Sequence, residues 1–164
     1  MTFDSRISGF CWPMLLTGVL VHAAGCGHGS GGSAEPVDLD QAVLEWSGKG
    51  RQWSDEELLV LEGGKRLYRE RCAGCHQRAG TGSAVIGAPA LKGSAVAKGD
   101  PDILIETVLF GRATMPAFRM SVDDEELARI LSYVRNAWGN GSQDLVPASR
   151  VAALRAGKEL EVPD

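Results

Sequence analysis

The clearest periodicity in the chain lies in VDDEELARILSYVRNAWGN, residues 122–140. Leu127, Ile130, Leu131, Val134 and Trp138 recur at the 3.6-residue spacing of one helix face, with charged positions opposite. Asp123 stands at the N-cap with Glu126 three residues on, and Gly139, Asn140 and Gly141 end the segment. A second helix is predicted near 55–71, with Ser54 as N-cap and Glu57 as its partner in a capping box. Its interior holds Gly63 and Gly64, each costing about 1 kcal/mol relative to alanine. Gly64, Tyr68 and Cys72 fall at i, i+4 and i+8 on one face, where a glycine lets a second helix cross closely; the alternative is a break between two short helices. DPDILIETVLFG (100–111) predicts a third helix, and ASRVAALRAG (148–157) a short C-terminal one. Residues 77–99, rich in Gly, Ala and Pro, read as loop. DLDQAVLEW (38–46) is compatible with a short helix, and Trp46 and Trp53 with packing on the domain, but the pattern does not decide. No strand alternation and no internal repeat appears, so the expected fold is all-α.

Composition sharpens this picture in one respect. Aromatic residues make up 6% of the 164 positions while glycine occupies 21, so the core is thin and calls for a filler or a staple. A net charge of −4 argues against general nucleic-acid binding.

The first residues read as a leader rather than as part of the fold. FCWPMLLTGVLVHAA (10–24) follows Arg6 and is interrupted by Pro13, Thr17, Gly18 and His22, which suits a signal peptide better than a membrane span. It runs into AAGC (23–26), which resembles the lipobox of bacterial lipoproteins, with Ala23 where leucine is usual. That resemblance implies cleavage after residue 25 and a lipid anchor on Cys26; ordinary signal cleavage near Ala24 is the alternative. Either route exports the chain, on this reading to the periplasmic side of a bacterial membrane, a compartment that permits disulfides. GHGSGGSAEP (27–36) is then a tether with a reach of roughly 18 Å, and His28 within it a solvated linker residue. The expected organisation is a signal peptide over 1–25, anchor, linker and lead-in over 26–53, a domain over 54–141 and a tail over 142–164.

Export leaves two cysteines, Cys72 and Cys75, with His76 directly behind them. Shuffling this composition yields C-x-x-C-H roughly 0.002 times per chain, so the spacing is chemical in origin. A zinc site takes four ligands, and no second C-x-x-C or H-x-x-H pair is present. A thioredoxin-like pair expects a βαβ setting, which the pattern lacks. Covalent haem attachment needs two thiols for the two vinyl groups and an adjacent histidine for the iron, which is the spacing observed.

In GKRLYRERCAGCH, APAL, GRATMPAF and LSYVRNAWGN, taken in order over roughly residues 60–140, the chain resembles the class I c-type cytochromes. The resemblance implies terminal helices crossing around one covalently bound haem c, with Cys72 and Cys75 attached and His76 an axial ligand. It further implies that the Pro89 carbonyl accepts a hydrogen bond from the His76 ring. It places the sixth ligand in GRATMPAF, at Met115. Elimination agrees, because His28 lies in the tether and Met120, just before the last helix, reads as a plain core side chain. Tyr68, Leu91, Leu104, Val108 and Phe118 are candidate haem-lining residues, with ordinary helix packing as the other reading of each.

A methionine-capped iron shuttles between Fe(II) and Fe(III) and leaves no open position for peroxide or oxygen. The expectation is therefore a one-electron carrier between membrane-associated redox proteins, not an enzyme. Two alternatives stand beside it. One is a permanently bound subunit of a quinoprotein dehydrogenase, nitrite reductase or terminal oxidase, whose cytochromes have endings that VRNAWGN resembles. The other is a haem peroxidase or gas sensor with a displaceable Met115. Residues 63–119 carry nine basic side chains against four acidic ones, a balance of +5 that leaves −9 elsewhere. That asymmetry suits docking to an acidic partner, if the charges are not simply scattered.

Overall fold

The computed structural model describes residues 36–46 and 50–159; the leader, Cys26 and the His28 tether lie outside them. In chain order the helices are α1 (Leu39–Trp46), α2 (Asp55–Arg71), α3 (Ala73–His76), α4 (Ala95–Lys98), α5 (Pro101–Phe110), α6 (Asp124–Asn136) and α7 (Ala148–Glu159). Two 3₁₀ turns, Ala84–Ile86 and Ala137–Gly139, interrupt the loops. Among the described residues extended pairing is limited to two isolated bridges, Ser83 with Ala88 and Arg112 with Met115. The fold is all-α.

Local chemistry starts the two main helices. The Ser54 hydroxyl accepts from the Glu57 N–H, and the Glu57 carboxylate accepts in return from the Ser54 N–H at 2.9 Å. Asp123 accepts from the Glu126 N–H at 2.8 Å, which caps α6. Helix α2 runs unbroken through Gly63 and Gly64. A Cβ built on Gly64 would lie 2.0 Å from the Arg129 carbonyl oxygen, whereas one on Gly63 would come no nearer than 3.6 Å to any neighbour. Gly64 is thus the point at which the backbones of α2 and α6 meet. Around it Leu58, Leu61 and Leu67 pack with Leu127, Ile130, Leu131 and Val134, and α5 adds Leu104, Ile105 and Leu109.

Three sequence expectations are corrected. Trp138 does not continue the α6 stripe: the helix stops at Asn136, and Trp138 turns into the left-handed region at φ +54°. Its ring packs on Tyr68 and Tyr133 at centroid distances of 5.1 and 5.3 Å, so tertiary packing of an aromatic cluster overrides helical register. Met120 is not a core side chain but is 89% exposed. The turn made by Ser121 and Val122 N–H groups donating to the Phe118 carbonyl buries Val122 and leaves Met120 outside. The 77–99 loop also contains helical turns, one of them α4, capped by the Ser94 hydroxyl.

The flanking helices are integral to the core. Trp46 of α1 is 1% exposed and donates to Glu62 of α2, while Lys65 bridges Glu45 and Glu62. Helix α7 buries Val151, and Arg155 holds Asp124 and the Val122 carbonyl. Between α6 and α7, the buried Arg135 grips Asp144 with two bonds of 2.7 and 2.8 Å and donates to the Gly99 carbonyl. A buried guanidinium is tolerated here because its donors are matched by a carboxylate and by main-chain carbonyls.

Candidate haem-binding site

The C-x-x-C-H segment is a helical turn appended to α2. Cys72 closes α2 by donating its N–H to the Tyr68 carbonyl, and its own carbonyl accepts from the N–H groups of Cys75 and His76. Cys72, Cys75 and His76 occupy positions i, i+3 and i+4 of this turn, neighbouring positions along one helix face. Cys72 is half-buried and Cys75 exposed, and neither is in a disulfide. Gln77, at φ +63°, ends the turn, and its carbonyl accepts the Tyr68 hydroxyl at 2.7 Å. Burial raises the Tyr68 pKa, which keeps that phenol protonated as a donor.

His76 is 8% exposed, and its Nδ1 lies 2.9 Å from the Pro89 carbonyl oxygen. A carbonyl only accepts, so Nδ1 carries a proton, and in the neutral ring the lone pair is then on Nε2, where a metal would bind. The loop that delivers Pro89 is tightly constrained. Gly82 donates to the His76 carbonyl, Ser83 and Ala88 exchange main-chain bonds, and both Leu91 and Lys92 donate to the Gly80 carbonyl. A Cβ on Gly82 would come within 2.5 Å of the Ala88 carbonyl oxygen, so only glycine fits beside the segment carrying Pro89.

Met115 sits on a separate loop. Arg112 and Met115 exchange main-chain bonds of 2.9 and 3.1 Å around a turn with Ala113 at φ +52°. Gly111 lies under this turn, where a Cβ would meet the Met115 carbonyl oxygen at 2.7 Å. Phe118 then rejoins α5 through a bond to the Val108 carbonyl. Of the lining candidates, Tyr68 and Leu104 are buried in the core, and Leu91, Val108 and Phe118 are partly buried against it. The structure therefore gathers Cys72, Cys75, His76, Pro89 and Tyr68 around one turn, and holds Met115 independently. Sequence reasoning missed Gly80, Gly82 and Asn140; the glycines give only a generic loop signal, and Asn140 was read as part of a helix stop.

The donor set fits haem c better than its rivals. Among the described residues no group of three or more His, Cys, Asp or Glu side chains is arranged to hold a metal ion, so the motif lacks the four-ligand set of a zinc site. Burial pushes the Cys72 thiol up to about 11, opposite to the lowered thiol of a disulfide-exchange pair. Two thiols and one imidazole with a free Nε2 are what covalent haem attachment requires.

Comparison with known proteins leads the same way. Residues 59–134 match the family described as cytochrome c oxidase, cbb3-type, subunit III. The chain is 32% identical over 110 residues to the gluconate 2-dehydrogenase cytochrome c subunit of Pantoea cypripedii, an alignment covering 60% of this chain and 25% of that protein. It is 29% identical over 130 residues to the alcohol dehydrogenase (quinone) cytochrome c subunit of Gluconobacter oxydans, covering 70% of this chain and 27% of the relative. It is 36% identical over 89 residues to the cbb3-type cytochrome c oxidase subunit CcoP of Azospirillum brasilense, covering 51% and 30%. The aligned parts thus span 25 to 30% of these relatives' lengths. The fold, the C-x-x-C-H turn and these matches support a c-type cytochrome domain, with haem c as the cofactor they favour.

Proposed function

We propose that this chain is an exported carrier of single electrons, in which Cys72 and Cys75 would hold one haem c through thioether bonds and His76 and Met115 would ligate its iron. The observation that supports this most directly is the His76 ring, fixed by Pro89 with Nε2 free on the same turn as both thiols. Haem c, when bound, supplies an iron that alternates between Fe(II) and Fe(III). The protein's part is to hold its ligands still. Pro89 fixes the His76 tautomer and ring direction, and the Arg112–Met115 turn fixes the methionine loop. Tyr68, Leu91 and Phe118 would restrict water at the cofactor. The haem-binding segment is assigned to 54–141, with α1 and α7 packed on it, Cys26 as lipid anchor on the periplasmic side of a bacterial membrane, and redox proteins as partners. Among the described residues no helix is long and apolar enough to cross a membrane.

A second reading, a cytochrome docked permanently in a larger complex, is favoured by the relatives, which are named as subunits of dehydrogenases and an oxidase. Both readings share the same electron-transfer site. A spectroscopic redox titration of the purified protein tests that site: one reversible one-electron transition is expected. A two-electron thiol couple without a haem spectrum, or full carbon monoxide binding by the unmutated reduced protein, would overturn it.

A further inference from the structure

The turn after α6 does more than end a helix. Asn140 is 7% exposed, and its side-chain amide makes three bonds. Its Nδ2 donates to the Val134 carbonyl at 2.7 Å, within α6, and to the Leu91 carbonyl at 3.0 Å. Its Oδ1 accepts from the Gly93 N–H at 2.7 Å. One amide thereby joins the end of α6 to the loop two to four residues beyond Pro89, whose carbonyl orients His76. Trp138, from the same turn, covers the other side of that loop. A Cβ on Gly80 would lie 2.6 Å from the Trp138 ring, and Gly80 is the residue whose carbonyl receives Leu91 and Lys92. The N–H groups of Leu91, Lys92 and Gly93 are thus engaged by Gly80 and Asn140.

We infer that Asn140 is a positioning residue for the axial histidine: through Leu91 and Gly93 it sets where the Pro89 carbonyl sits, and hence the direction and hydrogen bonding of the His76 ring. The inference rests on His76 being the haem ligand. Asn136 supplies a matched comparison. It is 3% exposed and also makes three side-chain bonds, to the Ser132 and Asp144 carbonyls and from the Gln143 N–H, none of which reaches the Pro89 loop. Loss of either amide removes buried bonds of similar kind, so general destabilisation should be alike while the effect on His76 should differ.

The test uses the haem-loaded protein and NMR. In Asn140→Ala the His76 ring N–H should exchange with solvent about 25-fold faster, since two loop-anchoring bonds at roughly fivefold each are lost. The order or spread of the haem-methyl shifts in the oxidised form should change as well. Asn136→Ala should unfold more easily yet leave both signals in place. Equal effects from the two variants, or none from Asn140→Ala, would overturn the inference. Should Asn140→Ala fail to fold, the unmutated protein decides. The Gly93 amide and the His76 ring N–H should then share one exchange rate across sub-denaturing urea. A freely exchanging Gly93 beside a protected His76 ring would overturn the clamp. Haem content is read from the same samples. Its absence from the unmutated protein would refute the haem reading itself, whereas full haem with an indifferent Asn140→Ala refutes only the clamp.

Discussion

Replacing Gly64 with alanine adds one methyl group where α2 meets α6. The new Cβ would sit 2.0 Å from the Arg129 carbonyl oxygen, 2.7 Å from its carbon and 2.9 Å from the Tyr133 Cβ. Two of these atoms are backbone, so no rotamer change relieves the clash, and the helices must separate by roughly 1 Å in a close-packed interior. Overpacking of this kind costs about 1–3 kcal/mol, toward the upper end or beyond when main chain must move. Alanine returns about 1 kcal/mol through helix propensity. The net expectation is a loss of about 2 kcal/mol or more, which lowers the melting temperature by about 6–10 °C for a body of this size. Gly63→Ala isolates the propensity gain, because its Cβ would make only ordinary contact with Arg129 at 3.6 Å. It should raise stability by up to about 1 kcal/mol. Circular-dichroism melts of the haem-loaded variants supply both numbers. Gly64→Ala as stable as the parent, or Gly63→Ala the more damaging of the two, would refute the close-crossing argument.

Other outcomes follow from the site. Met115→Ala should abolish the weak far-red absorption band of methionine-ligated ferric haem and open the iron to cyanide, while Met120→Ala, at a position 89% exposed, should leave the band intact. Arg112 is exposed beside the methionine turn. Electron transfer to an acidic partner should therefore slow steeply as the Debye length falls from about 30 Å at 0.01 M salt to about 10 Å at 0.1 M, and Arg112→Glu should flatten that dependence. Stopped-flow rates across the salt series check both statements. Cys26→Ser should release the protein from membranes, measured by fractionation, with an unchanged haem spectrum; equal retention would remove the lipid-anchor assignment.

How much of this was legible in the sequence depends on how local the controlling physics is. The capping box at Ser54 and the cap at Asp123 act within four residues, so α2 and α6 could be placed from pattern alone. Gly64 was legible as a crossing point because a glycine inside a helix needs a reason. By contrast, α1 spans eight residues, too few to be stable alone, and exists because Trp46 is buried against α2. Trp138 fits the 3.6-residue period on paper, yet a left-handed backbone at a tryptophan is imposed by the ring cluster it joins. Met120 depended on which residues of a short turn face inward, and Asn140 on a contact with Leu91, 49 positions away. The C-x-x-C-H turn was the most legible feature because its chemistry fixes its spacing.

Everything proposed for the site depends on Cys72 and Cys75 carrying haem c covalently. Intact-protein mass spectrometry under denaturing conditions tests it most directly. A mass increased by one haem is expected in the protein matured in a cell able to attach c-type haem, with no haem released into acidic organic solvent, and loss of that increment in the Cys72→Ser, Cys75→Ser double variant. Haem that extracts freely from the unmutated protein, or a chain of unmodified mass at those two cysteines, would contradict it.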